Sequence, residues 1–337
     1  MKITAITGMA SVQDLGRYGQ RKYGIGVNGA MDQWALKAGN ALLNNDENTA
    51  AIEVTLGGIS VEFEQNDVDA TTGELAICVT GALYEMYLVD HATTPNPKRQ
   101  RIANGWRVTV QAGQTLELKR AIQGMHAYIC IQGGLQVQAV LGSASTNTKA
   151  EFGGYQGRFL AVGDHLTVAN VARPSLSRLG IAPFVDNHAN QAEGQPTHRL
   201  IRVIKNSEYE NFTPDAIAHF TKQPYKLSSS SNRMGYRLEG AQPLTLTMPL
   251  QMNSHGVDVG MIQVPPQGQP IVLMADSQTT GGYPKIASVI QADIGEFAQL
   301  RFGQSCQFVW VALDQAIEAK QARERYINQI KAFAQGQ

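Results

Sequence analysis

The chain has 337 residues, 43% of them apolar and 17% charged, which is too apolar for a disordered chain and long enough to divide its apolar residues between two cores. Its 28 basic residues balance 28 acidic ones, and no run of five or more like charges occurs, so the electrostatic footprint of nucleic-acid or anionic-membrane binding is missing. No stretch approaches the roughly 18 uninterrupted apolar residues that cross a bilayer, and the opening residues lack the pattern of a secretory signal, so a cytoplasmic protein is expected.

Taken in order, the chain opens on Met1-Lys2-Ile3-Thr4-Ala5-Ile6, whose alternation predicts a strand. Asp32 then precedes an Ala- and Leu-containing run over 33–43 and predicts a capped helix. Short β-branched or aromatic runs at 58–63, 75–79, 86–89, 114–118 and 126–131 predict strands separated by turns. With 33 glycines spread between such runs, a barrel or sandwich is favoured over alternating strands and helices, and the class is mainly β. The polar stretch 186–196 breaks the pattern, which places one domain at 1–190 and a second at 198–337. Thr213-Pro214-Asp215 predicts a short helix through Phe220. The run 285–290 reads as helix-like, and 314–333 as a terminal helix packing through Ile317, Ile327 and Ile330.

Four polar, glycine-containing regions carry the candidate chemistry. Over 275–284, two glycines permit close approach of a ligand, while Asp276, Gln278, Thr280 and Tyr283 supply donors and acceptors; the alternative is an elaborate turn that satisfies its own backbone. Arg17, between Gly16 and Gly19, has the fork geometry to hold a carboxylate, and Asp32 reads as a helix cap ahead of a general base. Ser143 and its neighbouring hydroxyls, with Arg158, suit an oxyanion, or else belong to a long barrel connection. Arg233 and Arg237 follow a serine run and are spaced to converge on one anion, with a solvated surface as the alternative.

Other signals are missing. Neither a Gly-x-x-x-x-Gly-Lys-Ser/Thr phosphate loop nor a dinucleotide fingerprint occurs, nor His-Glu-x-x-His or Gly-x-Ser-x-Gly. The seven histidines lack metal-ligand spacing and read as structural or exposed, so no metal is expected. Cys78, Cys130 and Cys306 sit singly in apolar runs and read as small buried hydrophobes.

These segments together resemble the biotin-dependent carboxyltransferase family, also called allophanate hydrolase subunit 2, over nearly the whole chain. The likeness rests on Val12-Gln13-Asp14-Leu15-Gly16-Arg17, Gly29-Ala30-Met31-Asp32, Leu141-Gly142-Ser143 with Ser145-Thr146, Gly153-Gly154 with Gly157-Arg158, Arg233-Met234-Gly235 with Arg237-Leu238, Ile262-Gln263-Val264-Pro265, and Asp276 with Gln278-Thr279-Thr280-Gly281-Gly282-Tyr283-Pro284. The chain departs from the family at Lys205-Asn206-Ser207-Glu208, where Gly-Pro is common.

The resemblance implies two cyclophilin-like β-barrel domains and a role in a hetero-oligomer. Its leading functional implication is hydrolysis of the lactam 5-oxoproline to glutamate with ATP. The partners would be a homologous protein like allophanate hydrolase subunit 1 and a LamB/YcsF-like protein, and ATP would be held by or with a partner. In that setting Asp276 accepts or orients a proton, Gln278, Thr280 and Tyr283 position substrate, and Arg233, Arg237, Arg17, Ser143 and Arg158 bind it. The rival implications are carboxyl transfer from carboxybiotin to an amide such as urea, and a non-catalytic regulator that binds a kinase-inhibitor homologue. Biotin enters only under the first rival.

Overall fold

The computed structural model describes residues 1–92, 97–169, 176–184 and 198–336. The chain divides into two compact units, one made of Met1–Arg17, Asn28–Pro183 and Arg325–Gln337, the other of Tyr18–Val27 and Phe184–Glu324. Most of the seam expected between 190 and 198 lies outside the described residues.

The first unit is an eight-stranded curled sheet. Its strands are β1 (Lys2–Ile6), β2 (Met9–Gln13), β3 (Ala51–Thr55), β4 (Ile59–Glu62), β5 (Glu74–Asp90), β6 (Lys98–Ile102), β7 (Val108–Gln111) and β8 (Gln114–Ile131). They run β1-β4-β8-β3-β2, with β5 joining β8 to β6 and β7. The runs expected as separate strands at 75–79 and 86–89, and at 114–118 and 126–131, are continuous in β5 and β8, which pair antiparallel from Ile77↔Ile131 to Asp90↔Gln114. Bulges at Gly81, Leu83 and Glu85 bend this ladder where turns were expected. Gly81, at φ +81°, is required there, because a Cβ would lie 2.5 Å from the His126 carbonyl. The core is the inward row of Ile3, Val12, Ile52, Val54, Val61, Phe63, Ile77, Met86, Leu116 and Ile129.

Helix α1 (Gln33–Leu42) begins as expected, with the Asp32 carboxylate accepting from the Ala35 N–H at 3.1 Å. It buries Leu36, Ala41 and Leu42 against Cys78, Cys130 and Tyr128. All three cysteines are buried thiols, and burial pushes Cys306 up to about 12.

The second unit is a closed barrel. Its strands are β9 (Arg199–Lys205), β10 (Tyr225–Leu227), β11 (Gly235–Gly240), β13 (Met261–Gln263), β14 (Ile271–Leu273), β16 (Lys285–Val289) and β17 (Ser305–Trp310), ordered β10-β11-β14-β13-β16-β9-β17; β17 returns to β10 to close the ring. The two-residue strands β12 (His255–Gly256) and β15 (Thr280–Gly281) form a separate ribbon. Inside the barrel, Phe220 of α2 (Pro214–Lys222) stacks on Phe308 at 4.8 Å and meets Tyr225 and Trp310. A five-residue helix, α3 (Ile294–Ala298), precedes β17.

Two expectations are corrected. The run 285–290 is strand β16, not a helix: its backbone pairs with β13 on one side and β9 on the other, and a short apolar run cannot be assigned by periodicity alone. The terminal helix α4 (Leu313–Gln335) forms, and Ile327 and Ile330 are buried, but Ile317 is 46% exposed. The buried positions are Ala319, Arg323, Ile327, Ile330 and Ala334, spaced three or four residues apart, and Ile317 falls off that stripe.

Candidate functional site

In the first unit, Asp14 organises the polar loops. Its Oδ1 accepts from the Gly16 N–H at 2.8 Å, the Ser143 hydroxyl at 2.7 Å and the Ser145 hydroxyl at 2.5 Å, and its Oδ2 accepts from the Ala144 N–H at 2.7 Å. Arg17 is fully buried in the same knot. It donates from Nε to the Val140 carbonyl at 2.9 Å, from Nη1 to Asn28 Oδ1 at 2.8 Å and from Nη2 to the Ser145 carbonyl at 2.8 Å, and it lies over the Phe152 ring. Arg17 and Ser143 are thus brought together, but they spend their donors on each other's loops.

Arg158 stands apart from them, in a bidentate pair with Asp164 at 2.7 and 2.8 Å and against the Tyr155 ring. Hydrogen bonding from Arg158 holds the Asp164 carboxyl below its ordinary range.

In the second unit, the Asp276 N–H donates to the Arg233 carbonyl at 2.8 Å, continuing the β11–β14 ladder past the pair Gly235↔Leu273. That extension sets the two side chains opposite each other: Arg233 Nε meets Asp276 Oδ2 at 2.9 Å and Nη2 meets Oδ1 at 3.0 Å. Arg237 does not join them. Strand β11 alternates, so Tyr236 and Leu238 enter the barrel while Arg237 faces out, exposed and without an ion-pair partner among the described residues. Past Asp276, Gln278 donates to Gln263 Oε1 at 3.4 Å, Thr280 and Gly281 form β15, and Tyr283 is 47% exposed. The loop also carries a neighbour from the start of the chain, since a Cβ on Gly26 would lie 3.0 Å from the Ser277 carbonyl.

Cross-strand register assembles a wider site. Residues directly opposite each other share a sheet face, so Arg237↔Ile271 and Ile271↔Gln263 make one row, and across a β-bulge between Ile262 and Gln263 the next partner is Lys285. The parallel row Tyr236, Val272 and Ile262 is the buried interior, so Arg237, Ile271 and Gln263 lie on the outer face of the barrel wall, and Lys285 reaches the same ribbon as Gln263 because His255, which it contacts, pairs with Gly281. Gln263 and Lys285 are nevertheless 2% exposed. The β12–β15 ribbon covers them: a Cβ on Gly281 would lie 2.5 Å from Gln263 Nε2, and His255 Nε2 contacts Lys285 Nζ.

Lys285, His255 and Glu208 escaped the sequence reading. Lys285 Nζ lies 2.6 Å from Glu208 Oε2, and the Lys285 N–H donates to the same oxygen at 3.0 Å. His255 Nδ1 faces the Asn253 carbonyl at 3.1 Å; a carbonyl only accepts, so the proton sits on Nδ1 and Nε2 accepts from the lysine. The ammonium therefore bridges a carboxylate and a neutral imidazole. Burial pushes the Glu208 carboxyl up, but hydrogen bonds from Lys285, Ser207 and the Lys285 N–H outweigh it and hold the group below its ordinary 4.5. A depressed carboxyl stabilises the fold above its unfolded value and loses that contribution as pH falls through the folded one. Thermal midpoints of wild type and Glu208→Gln, followed from about pH 6 to about pH 3, are expected to converge as the pH drops; a gap that stays constant contradicts the linkage.

Two buried polar atoms at this site have no hydrogen-bond partner among the described residues, Gln263 Nε2 and Ser277 Oγ. Among the described residues no group of three or more His, Cys, Asp or Glu is arranged to hold a metal ion. Nor does any described helix reach the length and apolarity needed to cross a membrane. Each described α-helix begins on acid, with Asp32, Asp215, Asp293 with Glu296, and Asp314, which opposes the use of a helix N-terminus for phosphate.

The architecture is that of a mainly β protein, a curled eight-stranded sheet and a closed seven-stranded barrel with a buried amide and a buried cation on its wall. The chain belongs to the carboxyltransferase family: the family model "carboxyltransferase domain, subdomain A and B" matches residues 23–310. It is 44% identical to the C subunit of 5-oxoprolinase from Haemophilus influenzae over 98% of this chain and 97% of that one. It is 41% identical to the C subunit of 5-oxoprolinase from Escherichia coli at the same coverage. Among solved structures, the Kluyveromyces lactis urea carboxylase superposes with a TM-score of 0.82 at 26% identity, over 98% of this chain and 29% of that one.

Proposed function

We propose that this chain is the C subunit of an ATP-dependent 5-oxoprolinase, acting with a homologous partner like allophanate hydrolase subunit 1 and a LamB/YcsF-like partner to convert 5-oxo-L-proline to L-glutamate. The observation that carries this reading is the full-length likeness, above 40% identity, to two proteins that bear the name of the 5-oxoprolinase C subunit. The lactam is a stabilised amide, so its carbonyl oxygen attacks the terminal phosphorus of ATP and ADP departs. Water then adds to the activated carbon, the ring C–N bond breaks as the nitrogen takes a proton, and a second water displaces phosphate from the resulting acyl phosphate to leave the carboxylate. The acidic helix starts fit a nucleotide held by or with a partner.

Within this chain, Arg237, exposed and unpaired among the described residues, receives the substrate carboxylate, and Gln278, Thr280 and Tyr283 position the lactam. Asp276 orients the loop through Arg233. Arg17 and Ser143 carry no role at the substrate, because their polar atoms are committed inside the first unit. Arg158, paired with Asp164, likewise serves its own loop.

The test is ATP-dependent glutamate release by mixed purified subunits, with and without this chain. Omission is expected to abolish release, and unchanged release without it sinks the proposal. Likeness to the urea carboxylase supports a second reading, carboxyl transfer to an amide. That reading requires turnover of carboxybiotin by the same complex. A regulator that only sequesters a partner would keep its binding in Asp276→Asn and Arg237→Ala, whereas lactam hydrolysis is expected to fall in both.

A further inference from the structure

We propose that the outer-face row Arg237–Ile271–Gln263, together with Lys285, is itself a binding site for a small lactam acid, reading carbonyl and carboxylate at opposite ends. The lactam as ligand rests on the oxoprolinase reading; the geometry rests on the register of three adjacent strands and on the ribbon that covers Gln263 and Lys285 together.

The carbonyl end is formed by Gln263 and Lys285. The amide nitrogen of Gln263 is buried and donates to nothing among the described residues, while the amide oxygen is occupied by Gln278. Lys285 has three N–H bonds and two acceptors in contact, Glu208 and His255, so one remains uncommitted. The two donors lie under neighbouring residues of one ribbon, Gln263 against Gly281 and Lys285 against its pair partner His255, and in the proposed site they serve a single acceptor oxygen. A buried donor left unmatched is costly, which favours a ligand that brings an acceptor. The ammonium is balanced by Glu208 and the imidazole is neutral, so this end carries no net charge and suits a carbonyl ahead of a carboxylate.

The carboxylate end is Arg237, two strands away, or roughly 10 Å at Cα. Its side chain is long enough to close most of that distance, and its fork matches a carboxylate. Between the two ends lies Ile271, half-buried on the same face, an apolar floor for ring methylenes. An acceptor at one end, a carbonaceous middle and an anion at the other describe a five-membered lactam bearing a carboxylate. Gly281, whose missing Cβ lets the ribbon settle on Gln263, completes the wall.

The site is tested by titrating the purified full-length chain, without ATP or partners, with 5-oxo-L-proline, 2-pyrrolidone and L-proline. The lactam acid is expected to bind best. Gln263→Leu is expected to weaken 5-oxo-L-proline about tenfold while leaving L-proline unchanged, and Arg237→Met to weaken 5-oxo-L-proline about tenfold while leaving 2-pyrrolidone unchanged. Arg237 is exposed, so that variant keeps the test alive should the buried substitution disturb folding. Absence of binding by wild type up to about 10 mM, or equal binding by wild type and Arg237→Met, overturns the site. Failure at this step together with active lactam hydrolysis by the complex leaves the oxoprolinase reading standing. Selective binding together with an inactive complex keeps the site and removes that reading.

Discussion

Arg17→Met is expected to lower the free energy of unfolding by about 4 kcal/mol. The guanidinium is fully buried and satisfies three backbone carbonyls, those of Val140, Ser143 and Ser145, together with the Asn28 amide oxygen. Its removal leaves several buried acceptors unmatched at about 1–3 kcal/mol each, partly relieved by local collapse. Lysine is not a substitute. A single ammonium cannot address acceptors spread around a planar fork, so Arg17→Lys is expected to recover little of the loss. Urea unfolding, followed by a probe in the first unit, reads the effect as a shift in midpoint at constant slope. A change below about 1 kcal/mol would mean that the guanidinium is dispensable to the loops, and would return Arg17 to the pool of substrate ligands.

The second large effect belongs to Arg233 and Asp276. Their side chains are only 13% and 10% exposed, so the pair is shielded from solvent screening. Either alanine variant leaves a partly buried charge without its counterpart, an expected loss of about 3 kcal/mol, whereas the double variant removes both charges together. The double-mutant cycle is therefore expected to show a coupling of about 2 kcal/mol. Lactam hydrolysis by the complex should follow the same non-additive pattern, since Asp276 fixes the start of the loop that bears Gln278 and Thr280. Strictly additive losses would show that the two side chains act separately.

The mainly β class was legible in the sequence, because strand-length apolar runs between glycines leave few alternatives. Both helix starts with polar caps were readable from their chemistry, at Asp32 and Thr213. The 276–284 loop, too, announced itself through its density of polar groups. What it faces could not be read. Lys285 lies 77 residues from Glu208 and 30 from His255, and only strand register joins them. Reading 285–290 as a helix hid that register, and with it the placement of Lys285 under the same ribbon as Gln263. The outward direction of Arg237 was available in the alternation Tyr236, Arg237, Leu238, whereas the spacing from Arg233 suggested convergence only if the backbone were helical. Arg17 misled for another reason: a glycine-flanked arginine has the same appearance whether its fork grips a ligand or three carbonyls. The departure from the family at 205–208 is where Glu208 enters, so the segment that looked like a local irregularity supplies the counter-charge for the buried lysine.

The barrel closes through an unusual pair of neighbours. Strand β17 lies parallel to β9, with Phe308 beside Ile201 and Trp310 beside Val203, while its other edge takes β10. The contact that finishes the ring therefore joins segments about a hundred residues apart in sequence, and a loop of that length is slow to close. During synthesis, β9 and β10 each wait with a bare backbone edge until the residues through Trp310 have emerged from the ribosome. Such edges are templates for pairing with another chain. The vulnerable moment for this protein is thus late in translation, and a chain cut short before β17 would carry two sticky edges in place of a closed wall.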